Sequence, residues 1–264
     1  MKKIINKVLG VFGYEIRSRH VGSAHKKSVR TNNLTLHHTV TGSYYLPTDA
    51  FDDYVANTIK SNGVFEKEVV DLALQYIEED TVVLDLGANF GQMSILFSEK
   101  VGPNGKVYAF DADDFVYDIL LKNIDANGRT DRIVPVYGAV HNVAGEKLYF
   151  PVQDFEQYGA YGSYGIDYNT TKGREIESIT IDSLDIKQRI SFMKIDIQGG
   201  DLLAMKGAVK TIEKFKMPIL FEYEYRLEDE FNMSFQDYVD FVNQIGYEFK
   251  KVMSGHNYLI IPKN

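Results

Sequence analysis

The run Thr81-Val82-Val83-Leu84-Asp85-Leu86-Gly87-Ala88-Asn89-Phe90-Gly91-Gln92 decides the reading of this chain. A β-branched apolar stretch ends in an acid, passes through a glycine-rich turn, and continues into Met93-Ser94-Ile95-Leu96-Phe97, which extends as a helix. Strand, tight loop and helix start in that order put backbone N–H groups and a helix N-terminus at the carboxyl edge of a sheet. Gly87 and Gly91 allow positive φ and close approach of a ligand. Twenty positions beyond Gly91 a second apolar run, Val107-Tyr108-Ala109-Phe110, ends in Asp111, an acid placed to hold ribose hydroxyls.

Outward from this unit, strand and helix signals alternate. The spacing predicts strand 82–86, helix 91–100, strand 106–110, helix 115–126 and strand 133–140, the rhythm of a doubly wound parallel sheet. It breaks over 145–185, where strand-like runs at 146–152 and 176–181 flank a Tyr/Gly-rich stretch. It resumes with strand 192–197, helix 201–213, strand 218–223 and a helix that Ser234 caps. Residues 247–252 and 257–262 read as a closing β-hairpin. Upstream, helices are expected over 50–60 and 66–78, and an irregular arm or short strands over 17–45. The fold class is α/β and Rossmann-like: a seven-stranded, mostly parallel sheet ending in a hairpin, with an N-terminal helical arm. That is the architecture of class I methyltransferases. The expected division is a basic arm over 1–48 and one domain over 49–264, with 145–185 inserted as a hairpin and lid.

Two ligand classes compete for the glycine loop. A dinucleotide needs G-x-G-x-x-G, and Asn89 stands where the second glycine would admit a pyrophosphate. Asp85, just before the turn, would repel a pyrophosphate and suit a cation. S-adenosylmethionine carries a sulfonium, an ammonium and a ribose, and no phosphate. It is the cofactor expected here, held by Asp85, Gly87, Ala88, Asn89, Gly91, Gln92 and Asp111.

Charge narrows the partners. Residues 1–30 carry eight basic side chains against one acid, +7, which leaves −15 for the rest of a chain whose net charge is −8. An acidic body argues against a nucleic-acid substrate. Ile4, Ile5, Val8, Leu9 and Phe12 share one helical face in the basic arm. That face is expected to cover a second subunit, forming a homodimer, or to rest on an anionic membrane surface. The absence of cysteine excludes a disulfide framework and a thiolate metal site, and is compatible with the cytoplasm expected for this chain.

Several segments together resemble the FkbM-type methyltransferase family. They are 82–92, Tyr108–Asp111, Gly138-Ala139-Val140, Gly145-Glu146, Thr180-Ile181-Asp182-Ser183-Leu184, and Met193-Lys194-Ile195-Asp196-Ile197-Gln198-Gly199-Gly200-Asp201 followed by Leu203, Lys206 and Gly207. The resemblance runs from about 80 to 225. It implies an S-adenosylmethionine-dependent O-methyltransferase acting on a sugar of a surface polysaccharide or on a related small metabolite. It also implies cofactor contacts from Ala112 and Ala139. This chain has Gln198 where the family usually has Glu, and Asp111-Ala112 where it usually has Glu-Pro.

Methyl transfer to a hydroxyl needs alignment and a proton acceptor. Asp196 ends the strand expected beside the first one and should face the methyl group, so Asp196 is the leading catalytic candidate and Glu222, at the next strand end, the second. His141 and His256 are further candidate bases. Asp182, Asp196 and Glu222 could ligate Mg²⁺, but their separation carries no ligand-spacing signal, so no metal is expected. Tyr158, Tyr161, Tyr164 and Tyr168, interleaved with glycines, suit stacking on a sugar ring under a lid. The competing functions are an N-methyltransferase, which lacks support from a proline in 196–199, and a non-catalytic binding protein that kept the fold, which Gln198 favours.

Overall fold

Every residue of strand β3 (Val82–Leu86), Asp85 included, is buried, because parallel neighbours flank it and helices cover both faces. The computed structural model describes residues 33–50, 52–151, 160–161, 164–167, 170–253 and 256–263. The expected helical arm, Tyr158 and Tyr168 lie outside the described residues.

The main sheet has seven strands in the order Tyr247–Val252 (β11), Asn257–Pro262 (β12), Ile219–Glu222 (β10), Ile190–Ile195 (β9), β3, Lys106–Asp111 (β4) and Ile133–Tyr137 (β5). β4 and β5 extend it on one side of β3, and β9 and β10 on the other, all parallel. The hairpin of β11 and β12 closes the sheet, and β12 runs antiparallel to β10. The sequence reading places these seven strands, their direction and the hairpin. Pro135, which has no N–H to donate, sits on the outermost strand β5, where a missing ladder bond is tolerated.

Two elements are shorter than the hydrophobic pattern suggests. The run 133–140 splits at Gly138, and β6 (Ala139–Val140) leaves the main sheet to pair with β8 (Arg174–Ile179). β8 also pairs antiparallel with β7 (Lys147–Phe150), so the insertion is a three-stranded sheet. The expected helix 201–213 breaks into α5 (Asp201–Lys206) and α6 (Val209–Phe215). At the break, Gly207 lies so close to the His141 carbonyl that a Cβ would sit 2.0 Å from its oxygen.

Helices α1 (Tyr54–Lys60), α2 (Lys67–Tyr76), α3 (Gln92–Lys100) and α4 (Asp114–Ala126) pack their apolar faces on one side of the sheet, around Val83, Val107, Phe192 and Leu220. α5, α6 and α8 (Phe235–Gln244), which follows the short turn α7 (Glu228–Phe231), cover the other around Leu84, Met193, Ile219 and Phe221. Among the described residues no helix is long and apolar enough to cross a membrane.

A hairpin of β1 (Leu34–Thr39) and β2 (Gly42–Pro47) falls within the stretch that the sequence reading assigns to the arm. It packs on the domain: Tyr44 and Leu46 are fully buried in the core. Polar side chains of α4 take the place of a neighbouring strand. Asn123 accepts from Tyr45 N (2.6 Å) and donates to Tyr45 O (3.2 Å) and Phe90 O (2.8 Å), while Asn127 accepts from Ser43 N (2.9 Å) and donates to Ser43 O (2.7 Å). Alternation alone does not reveal this attachment, because its partners are asparagines on a helix. Asn123 is fully buried, so Asn123→Ala leaves backbone groups unsatisfied and should cost about 2–3 kcal/mol, read as a lower denaturant midpoint at unchanged slope.

Candidate active site

The strand order reverses between β3 and β9, and a cleft of about 1000 Å³ opens at the carboxyl ends of the strands on either side of that point. Of the sequence-designated residues, Gly87, Ala88, Asn89, Gln92, Asp111, Ala112, Ala139 and Asp196 line it.

Gly87 has φ +81°, and a Cβ there would lie 1.9 Å from the Asp196 carbonyl oxygen. Its glycine lets the ends of β3 and β9 meet. Asn89 takes a left-handed turn (φ 53°), a conformation Asn tolerates, with its own Oδ1 accepting from Phe90 N (2.7 Å). Gly91 differs from the sequence reading: it does not line the cleft, and a Cβ there would lie 2.6 Å from Leu120 Cδ1 of α4. Gln92 reaches away from the loop. Its Oε1 accepts from Phe65 N (2.9 Å), and its Nε2 donates to Gly63 O (2.9 Å) and Thr41 Oγ1 (3.1 Å), clasping the β1–β2 hairpin and the α1–α2 turn to the glycine loop.

Asp111 ends β4 and opens partly to the cleft. Its carboxylate accepts from Asn89 N (3.0 Å) and Asp113 N (2.9 Å). Burial pushes the carboxyl up to about 7, and those two N–H groups restrain the rise. Asp113 caps α4 through Phe115 N and Val116 N.

Asp85 also differs from the sequence reading. Its carboxylate is fully buried beneath the glycine loop, accepting from Ser94 Oγ (2.5 Å) and lying 3.4 Å from Lys194 Nζ. It does not line the cleft: its side chain lies on the sheet face covered by α3, where Ser94 of that helix donates to it. Lys194 answers its charge. Burial alone would lower the Lys194 ammonium, but Asp85, Asp196 and Glu66 hold it above its usual value. Lys194 also donates to Gly87 O (2.8 Å) and lies 3.7 Å from Asp196 Oδ2.

Asp196 follows the end of β9 and faces the cleft, one residue beyond the strand rather than within it. Glu222, at the end of β10, lies behind it and is linked to it through Gln198, whose Nε2 donates to Asp196 Oδ1 (3.0 Å) and Glu222 Oε2 (3.3 Å). Burial, then the charges of Asp196, Asp201 and Glu224 and a direct side-chain hydrogen bond with Asp196, raise the Glu222 carboxyl strongly. Asp201, at the start of α5, is fully buried and accepts from Glu222 N (3.2 Å). Burial, then the Asp196 charge, push it up to about 7.

Other candidates fall elsewhere. Asp182 caps α6 through Lys210 N, Thr211 N and Thr211 Oγ1, well occupied and not part of a shared site with Asp196 and Glu222. Among the described residues no cluster of His, Asp and Glu could hold a metal ion. His141 is buried beside Glu146 (3.5 Å) outside the cleft, and its imidazole is lowered by burial. His256 is exposed in the terminal turn. Tyr161 and Tyr164 do line the cleft; the Tyr161 ring packs against Phe115 at 5.3 Å, tilted by 32°, and the Tyr161 N–H donates to Asp53, which also caps α1. The sequence reading passes over Lys194, Asp53 and Asp201. An ionisable Lys inside the apolar run Phe192–Ile195 is the one available signal, since a buried cation needs an anion beside it.

An open sheet with a glycine loop after its first strand, an acid at the end of the next and a cleft at its switch point defines a Rossmann-like fold. Residues 85–249 match the methyltransferase FkbM domain, and the chain belongs to that family. It is 25% identical over 158 residues to hexuronic acid methyltransferase AglP of Haloferax volcanii, covering 59% of this chain and 61% of that protein. The chain therefore spans less than two-thirds of that relative's length. Among solved structures, methyltransferase FkbM of Methylobacillus flagellatus KT is 20% identical with a TM-score of 0.48, covering 69% of this chain and 44% of that one. M. jannaschii TYW2, solved in complex with AdoMet, is 14% identical with a TM-score of 0.42, covering 88% and 85%.

The buried acids carry a stability signature. A carboxyl raised from about 4 unfolded to about 7 folded holds its proton only in the folded state across that window, so stability falls as pH rises through it. Asp201→Asn removes the ionisation and can still accept from Glu222 N. Between pH 5 and pH 8 the variant should lose less stability than the parent protein, by on the order of 3 kcal/mol in denaturant titrations; parallel losses would place the charge of Asp201 elsewhere.

Proposed function

We propose that this protein transfers the methyl group of S-adenosylmethionine to a hydroxyl oxygen of a sugar or related small molecule. The observation that carries this reading is the pairing, across Gly87, of a ribose-placed acid with a cleft-facing carboxylate: Asp111 at the end of β4 and Asp196 at the end of β9. The residues fit this cofactor better than a dinucleotide. Among the described residues lining the cleft, Lys194 is the sole Lys or Arg, and its charge is already committed to Asp85 and Asp196. A pyrophosphate would find no cation there, whereas a sulfonium and an ammonium meet an acidic surround.

Backbone groups of 87–89, the Asp111 carboxylate, Ala112 and Ala139 would hold the cofactor. S-adenosylmethionine, when bound, supplies an electrophilic methyl group whose S–C bond breaks as the acceptor O–C bond forms. Asp196 takes the hydroxyl proton, and the upward shift of the Glu222 carboxyl behind it favours a neutral acid there over a second charge. Phe231, Tyr161 and Tyr164 form apolar walls that exclude water and suit the face of a sugar ring. The sugar named for the Haloferax relative supports an acceptor of this class.

Two measurements test the reading. Asp111→Ala should weaken S-adenosylmethionine binding about 10- to 100-fold by calorimetry, since hydrogen bonds to a charged group contribute roughly 1.5–3 kcal/mol. Because the Asp111 carboxyl is pushed up to about 7 and its ionised form is the stronger acceptor for hydroxyl donors, affinity of the parent protein should rise between pH 6 and 8. That slope should vanish in the variant; equal affinity in both proteins removes Asp111 from the site. Asp196→Asn should lower methyl transfer to a panel of methyl glycosides by roughly 10² to 10⁴ while leaving cofactor affinity nearly unchanged. Full turnover in Asp196→Asn would overturn its role as base.

A further inference from the structure

We propose that Gln198 is a positioning residue: its single amide bridges Asp196 and Glu222 and sets the direction in which the Asp196 carboxylate faces the cleft. This deepens the function proposed above and rests on the assignment of Asp196 to the transfer step.

Gln198 sits in the left-handed region (φ 57°), where an unbranched L-residue is strained, and Gly199 follows at φ 97°. The segment is held on two sides. A Cβ on Gly165 would lie 2.7 Å from the Gln198 carbonyl oxygen, and a Cβ on Gly199 would lie 2.4 Å from the Phe231 ring. Both neighbours are glycines where the chain must pass this close, so the turn is clamped between the insertion and α7. The consequence of the unusual φ is that the side chain returns toward the strand ends instead of leaving for solvent.

The amide then has one sensible orientation. Its Nε2 donates to Asp196 Oδ1 (3.0 Å) and Glu222 Oε2 (3.3 Å), while Oε1 faces Arg226 Nη2 at 3.5 Å. Rotating the amide by half a turn would set its oxygen against the carboxylate of Asp196 and its NH₂ against a guanidinium. A glutamate at 198 would add a third acid to the pair. The surrounding charges do not do this work. Lys194 lies on the far oxygen of Asp196, Oδ2, and Arg226 is paired with Glu224. Asp85, Asp201 and Glu66 add only negative charge or buried acid around them. Gln198 is therefore the neutral donor that reaches both carboxyls from the cleft side. Burial and the neighbouring acids favour a proton on Glu222, in keeping with that arrangement.

The test uses the full chain and needs no acceptor. Carboxyl ¹³C titration of Asp196 and Glu222 would be followed with and without S-adenosylhomocysteine as probe, in the parent protein and in Gln198→Met, which keeps the side-chain shape and has no donor. Loss of the bridge should move the upper titration step of the pair by about one pH unit. S-adenosylhomocysteine affinity should change less than about threefold, because the bridge does not hold the cofactor. Gln198→Asn keeps an amide and tolerates the left-handed backbone, so it tests the idea if Met does not fold there. Being one methylene shorter it reaches one carboxyl, and its shift should be intermediate. Where transfer is measurable, kcat should fall about tenfold in Gln198→Met with cofactor KM nearly constant. Unchanged titration in both folded variants overturns the proposal. A parent protein that fails to bind S-adenosylhomocysteine would overturn the proposed function instead, and the carboxyl titration would still report on the bridge.

Discussion

The ends of β3 and β9 touch, and everything at this cleft depends on that contact. Only a residue without Cβ lets the Gly87 backbone pass the Asp196 carbonyl, and a buried ammonium fastens the joint from beneath. Lys194 is 4% exposed and Asp85 is wholly enclosed. Such a pair gives little net stability over an apolar one, but removing either partner leaves an isolated buried charge, which costs about 3–5 kcal/mol. Specificity is the better account of its presence. The ammonium reaches Gly87 O, Asp85 and Asp196 together, so it fixes the glycine loop and the Asp196 carboxylate relative to each other.

Much of this was legible in the chain. Period-two and continuous apolar runs place the seven strands, because strands buried on both faces must be apolar throughout. The glycine loop and Asp111 are legible because a strand-turn-helix with an acid on the next strand is a local pattern. The sequence did not reveal which way Asp85 points. Its face depends on the register of β3 against β9, whose paired residues Leu84 and Met193 lie far apart in the chain. For the same reason the pattern shows Gly91 as glycine but not why: its neighbour is Leu120 on another helix. The attachment of the β1–β2 hairpin through Asn123 and Asn127 was illegible because polar residues on a helix ordinarily face water.

The acids at the cleft form a graded set despite their shared chemistry. Asp85 is tied to a cation, Asp111 to two backbone N–H groups, Glu222 and Asp201 to buried surroundings that favour the proton, and Asp196 stands at the opening. Environment, not residue type, separates their roles, and only contacts made across the whole sheet supply that environment.

The order in which the chain is made bears on the β1–β2 hairpin. Its side-chain partners follow it by 78 and 84 residues, and Lys194 reaches the glycine loop across 107. On a translating ribosome, which extends the chain by about 5–20 residues each second, several seconds pass between synthesis of Tyr45 and of Asn123. During that interval Tyr44 and Leu46, destined for full burial, have no helix to cover them. β3 in turn waits for β9 with one ladder edge open. The nascent half-sheet therefore keeps an apolar strand edge unpaired until β9 is made, and the contact on which the cleft is built closes only from then on.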